Sequence, residues 1–148
     1  MQKLFHFDCP QEVYQADACI ISCFDFRFDT ALRKFLKRRG IAVYDQVKIP
    51  GSVKAVAAPD RESDRDFVIG MVQTSIRLHR PGRLLLFAHN DCGAYPGVPP
   101  EVVSADVAKA AGILRTALPS MPCECYFCDF DGIYAVDVGQ ALTRPAYS

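Results

Sequence analysis

The chain has 148 residues, half of them apolar and 23% charged, with a formal net charge of zero. That length can bury a core without staples, and the composition is that of a globular protein, not a disordered or fibrous one. Balanced charge argues against nucleic-acid or membrane-surface binding driven by bulk electrostatics, and no run approaches the roughly 18 apolar residues of a membrane span.

The start, MQKLFHFDCPQ, lacks the apolar stretch and small-residue cleavage site of a secretory signal. The expectation is one domain over residues 1–148, in the cytoplasm, with no nucleic-acid or membrane partner. Seven cysteines are present: Cys9, Cys19, Cys23, Cys92, Cys123, Cys125 and Cys128. An odd count without a leader fits reduced thiols better than a disulfide framework. Each is then a buried small hydrophobe, a reactive thiol or a metal ligand.

In chain order, ACIISC (18–23) predicts a short strand apolar on both faces, as in a buried parallel sheet. FDTALRKFLKRRG follows as a helix with Leu32, Phe35 and Leu36 on one face, Asp29 as cap and Gly40 as stop. Its basic LRKFLKRR run reads as a solvated face. Residues 41–49 alternate as a strand, and PGSVKAVAAPD reads as a loop. Ser63 and Asp66 form a capping signature before a helix carrying Phe67, Met71, Ile76 and Leu78, which must end by HRPG. RLLLFAH (83–89) is a second buried strand, and 101–118 a helix opened near Pro100 and ended by Pro119. ECYFCDF and IYAVDV flank Asp131-Gly132, a hairpin signal. The order β-α-β-α-β-α-β-β predicts an α/β fold. Its sheet is mostly parallel, in the order 2-1-3-4, flanked by helices, with an antiparallel last strand.

Cys23 ends the first strand and His89 the third. In an open α/β sheet, ligands sit beyond the carboxyl ends of strands where the strand order reverses. Neighbouring first and third strands bring both residues to that crevice, and Cys92 follows three residues after His89 on a loop that Gly93 helps to turn. One histidine and two thiolates form a catalytic zinc set with the fourth position open. Asp25 and Arg27 stand just past Cys23. A carboxylate there can orient a zinc-bound hydroxide, with the arginine keeping it charged and aimed. Alternatively, Asp25 itself binds zinc and closes the site.

C-x-D-x-R (23–27) followed by H-x-x-C-G (89–93) resembles the zinc signature of the β-class carbonic anhydrases, and the order of elements, closing hairpin included, resembles theirs over most of the chain. The resemblance implies Zn2+ held by Cys23, His89 and Cys92, with Asp25 and Arg27 as the catalytic dyad and Asp25 either contacting the zinc-bound water or occupying the fourth site in a resting form. It implies reversible hydration of carbon dioxide to bicarbonate by a zinc-bound hydroxide, and a homodimer or higher homo-oligomer. The strand CYFC near a sheet edge offers a pairing surface for that assembly. Departures from the family are Phe24 and Phe26 between the motif positions, KIPGS where members commonly read Arg-Asn-Ala-Gly, and a very short N-terminal arm. Phe24, Phe26 and the altered KIPGS loop motivate one alternative, a zinc hydrolase of the same fold acting on carbonyl sulfide or carbon disulfide. The shortness of the chain motivates another, a non-catalytic zinc-holding module.

Cys125-x-x-Cys128 imitates a redox pair. On a strand, positions three apart are ~10 Å apart and face opposite sides, beyond the ~7 Å that a disulfide spans. Those two and Cys123 read as packing residues. Cys9 and Cys19 receive no role, and His6 and His79 read as surface residues, the second at a helix end that favours positive charge.

Overall fold

The computed structural model describes residues 1–138. Residues 139–148, included in the single domain expected over 1–148, lie outside the described residues. Among the described residues, five strands and four helices follow in the order β1 (Ala18–Ser22), α1 (Asp29–Arg38), β2 (Tyr44–Lys48), α2 (Lys54–Ala57), α3 (Glu62–His79), β3 (Leu84–His89), α4 (Pro100–Ala117), β4 (Cys123–Asp129) and β5 (Gly132–Ala135). A short 3-10 turn, Phe26–Phe28, precedes α1. The sheet order is β2-β1-β3-β4-β5. Neighbours are parallel from β2 to β4, and β5 runs antiparallel on β4.

β1 and β3 are buried along their whole length, which is why both read as unbroken apolar runs. Their side chains alternate between two cores. Cys19, Ile21, Leu84 and Leu86 face α2, α3 and α4 through Val56, Val72 and Val107. Ile20, Leu85 and Phe87 face α1 through Leu32 and Leu36. Helices on both faces thus make three layers. The chain leaves β1 for β2 on one side and reaches β3 on the other, so the strand order reverses beside β1. Among the described residues, no helix is long and apolar enough to cross a membrane.

Local details differ from the sequence reading for identifiable reasons. β2 begins at Tyr44, not residue 41, because the Asp17 carboxylate accepts the Ala42 and Val43 amides at 2.9 Å each. The stretch read as a loop contains α2, a single turn with Val56 and Ala57 buried, too short to show a period. Asp29 opens α1 as its first residue, and Phe28 occupies the cap position. Arg61, not Ser63, precedes α3, with Glu62 and Asp64 placing negative charge on its first turn. α3 buries Val68, Val72 and Ser75 while Phe67 and Leu78 are exposed. The hairpin turns one residue early: Asp129 pairs with Gly132, leaving Phe130 and Asp131 as the loop. CYFC lies within β4, next to the sheet edge but paired on both sides, by β3 and β5; among the described residues β2 and β5 are the edge strands.

Candidate metal centre

Cys23 follows the last residue of β1, His89 is the last residue of β3, and Cys92 lies on the loop beyond it. The three ligand atoms lie within 4.8 Å of one another, with the two sulfurs 4.0 Å apart. This is the only group of three such residues among the described residues that can hold a metal ion. His89 is 4% exposed. Its Nδ1 lies 2.7 Å from the Asn90 carbonyl oxygen, which can only accept, so Nδ1 carries the proton. Nε2 is thereby left as a buried lone pair with no hydrogen-bond partner. Phe28 stacks on the ring at 4.5 Å.

Burial alone raises the Cys23 thiol, but the His89 ring beside it, in its charged form, and the backbone amides of Asp25 and Gly51 outweigh that and bring it down to about 7. The neutral ring, with its lone pair on Nε2, is the form that can ligate a metal ion. Burial and the neighbouring Cys23 sulfur push Cys92 the other way. Gly51 of the KIPGS stretch has a structural reason to be glycine. Its φ is +70°, and a Cβ there would lie 2.9 Å from that of Ala94, so any side chain would press on the loop carrying Cys92.

Asp25 caps the 3-10 turn, its Oδ1 accepting the Arg27 amide at 2.9 Å. The Arg27 guanidinium donates through Nε to both carboxylate oxygens at 3.1 Å and through Nη2 to Oδ2 at 2.7 Å. These bonds lower the Asp25 carboxyl to about 2. Asp25 Oδ2 lies 3.9 Å from His89 Nε2, beside the three-residue group without being one of it. A cavity of ≈ 20 Å³ opens there, lined by Cys23, Asp25 and His89 and walled by Phe28, Leu32 and Phe87. Phe24 and Phe26 are 62% and 85% exposed and do not line it.

Several contacts at the site were not foreseen from sequence. Asp91 and Asn90 sit inside the H-x-x-C spacing, and Asp129 and Phe130 come from the β4–β5 hairpin. Arg27 Nη1 donates to Asp91 Oδ2 at 3.0 Å, and Nη2 to the Asp91 carbonyl at 2.9 Å. The guanidinium lies over the rings of Phe28 and Phe130, 5.6 and 5.5 Å from their centres. Asn and Asp are common turn residues, so N-D between His89 and Cys92 signals a turn but not its partner.

The other thiols and histidines lie elsewhere. Cys125 and Cys128 are buried in opposite cores, and Cys19 is buried with Cys125. Cys9 and His6 are exposed. His79 is not a plain surface residue: its Nδ1 lies 2.8 Å from Asp45 Oδ2, and Tyr14 stacks on its ring at 3.9 Å.

Residues 14–136 match the model of a family described as "Putative carbonic anhydrase". The chain belongs to that family. A comparison with curated proteins returns no match. Among solved structures, a carbonic anhydrase from Streptococcus mutans superposes with a TM-score of 0.64 at 14% identity, covering 89% of each chain. A β-carbonic anhydrase, isoform I, from Trichomonas vaginalis gives 0.62 at 11% identity, over 88% of this chain and 87% of its own. The apo form of a carbon disulfide hydrolase gives 0.53 at 11% identity, over 92% of this chain and 88% of its own. At such identities these structures establish the carbonic-anhydrase-like fold alone.

Proposed function

We propose that the chain, as one domain, holds a zinc ion through Cys23, His89 and Cys92 and catalyses the reversible hydration of carbon dioxide to bicarbonate. The observation that carries this reading is the buried, partnerless His89 Nε2 facing two thiols. An unpaired buried acceptor costs on the order of 1–3 kcal/mol, and a metal ion relieves that cost. Ligand atoms of a tetrahedral zinc site with Zn–S of ~2.3 Å lie ~3.8 Å apart. The sulfur separation of 4.0 Å fits that spacing. The second bond of His89, to the Asn90 carbonyl, is the kind of outer contact that orients a ligating imidazole.

Zinc, when bound, supplies a Lewis acid that makes water nucleophilic near neutral pH. The chain supplies the rest. Asp25, ionised and held in plane by Arg27, accepts the hydrogen of the attacking water and aims its lone pair. Phe28, Leu32 and Phe87 give the cavity an apolar wall suited to an uncharged linear substrate. A second reading, hydrolysis of carbonyl sulfide or carbon disulfide, is favoured by the fold shared with the carbon disulfide hydrolase. The exposed Phe24 and Phe26 no longer argue for it, because they stand outside the cavity.

The deciding experiment measures zinc content and turnover of carbon dioxide, carbonyl sulfide and carbon disulfide on one sample. Zinc near one equivalent with fastest turnover of carbon dioxide supports the first reading. Zinc without any turnover leaves a metal-holding module. We also propose self-association, in part because β2 is an edge strand with exposed Phe67 and Leu78 on the helix beside it. In addition, two relatives from Sordaria macrospora are described as tetrameric.

A further inference from the structure

Arg27 carries five N–H groups in a rigid fork. Nε and Nη2 serve Asp25, while Nη1 donates to Asp91 Oδ2 and Nη2 also to the Asp91 carbonyl. One residue thus meets the guanidinium twice, once with its side chain and once with its backbone. The backbone of Asp91 makes this geometry available. Its φ is +53°, in the left-handed region that residues other than glycine seldom adopt. Asn90 secures the turn without help from Arg27. Its Oδ1 accepts the Asp91 amide at 2.8 Å, and its Nδ2 donates to Asp129 Oδ1 at 3.0 Å, tying the loop to the β4–β5 hairpin.

We propose that Asp91 is a positioning residue that acts through Arg27 to keep Asp25 turned away from the metal centre. With Nη1 held by Asp91 and the plane covered by Phe28 and Phe130, the fork presents Nε and Nη2 to Asp25 in one orientation. Asp25 Oδ2 is 3.9 Å from His89 Nε2, so a small rotation would bring it among the ligand atoms. The Asp91 side chain is 72% exposed, and an ion pair so open to water adds little stability. Stability is therefore a poor reason for the contact, whereas fixing the direction of a fork is a good one. The inference rests on the metal site proposed above.

The test loads the full-length protein with cobalt(II), which takes nitrogen and sulfur ligands as zinc does and has a visible spectrum that reports ligand exchange. Asp91→Gly keeps the left-handed backbone and the carbonyl contact and removes only the carboxylate. Asp91→Asn keeps an acceptor oxygen and tolerates the left-handed turn. Thiocyanate is then titrated into each protein. Its apparent Kd should rise about five- to tenfold in the glycine variant, because Asp25 now competes for the position, and stay within about twofold in the asparagine variant. Cobalt per chain should stay constant. Thiocyanate binding as tight in the glycine variant as in the unmodified protein would overturn the inference. So would equal weakening in both variants, or cobalt lost from the glycine variant, which would make Asp91 a folding residue of the loop. If the unmodified protein takes up no cobalt, the metal site itself fails and the inference falls with it.

Discussion

Replacing Arg27 with alanine separates orientation from charge at Asp25. The substitution removes the three side-chain bonds to the carboxylate and the two to Asp91, but leaves the backbone bond from residue 27 to Asp25 Oδ1. Without the guanidinium, the Asp25 carboxyl should climb from about 2 toward its ordinary ~3.9. It remains ionised at pH 7, so its charge survives and only its aim is lost. The stability cost should be small, because Arg27 is 46% exposed and such pairs contribute ~0–1 kcal/mol. That corresponds to a few degrees in Tm at this size. Activity should suffer more, since residues that orient the immediate partners of a metal are each worth about 10–100-fold. The assay measures zinc per chain, thermal midpoint and carbon dioxide hydration at pH 7 to 9 on one preparation. Retained zinc, a Tm within a few degrees and a large drop in kcat are expected together. Hydration at the unmodified rate with zinc bound would show that the Asp25–Arg27 pair is an ion pair beside a metal and nothing more.

The cysteines should sort by core. Cys92→Ser should strip zinc, while Cys125→Ser should leave it in place, because Cys125 packs against α4 with its thiol 3.9 Å from the Val107 carbonyl; metal analysis with equal loss in both would refute that sorting. On α3, Val72→Ala should cost about 2 kcal/mol in denaturant unfolding and Phe67→Ala less than about 0.5, since the first is fully buried and the second 67% exposed. Asp45 should make the protein acid-labile. Burial raises its carboxyl, but hydrogen bonds from Ser75, Tyr14 and His79 outweigh this and hold it below the usual carboxylate range. Its contribution is therefore full above the unfolded value of ~3.9 and is lost as pH falls through the lower folded value. Asp45→Asn should show a flatter loss of stability below pH 4, and an unchanged slope would remove Asp45 from the account. Light scattering at micromolar concentration should give a dimer or larger, and a clean monomer would count against self-association through β2.

What could be read from the sequence follows from the range over which each feature is decided. β1 and β3 were visible because a strand buried on both faces needs no partner to show its pattern. Once they are neighbours, Cys23 and His89 meet at the reversal of strand order whatever the loops do. α3 was placed correctly but rotated, because Phe67 and Leu78 are apolar and point outward, whereas Ser75 is polar and points in, donating to Asp45 at 2.6 Å. Hydrophobicity records what a residue prefers, and these three have positions set by their neighbours. The same distinction runs through the candidate metal centre. Residues whose chemistry is their own, two thiols and an imidazole, stood out by type and spacing. Asp91 did not, because its contact with Arg27 depends on a left-handed backbone held by Asn90 and, through it, by a hairpin 39 residues further on. Gly51 lies between these cases: its positive φ suits glycine, but the close approach of Ala94 that excludes a side chain is visible only after folding. Ligand atoms can thus be nominated by residue type, while the contacts that aim them depend on backbone conformations reached only in the folded chain.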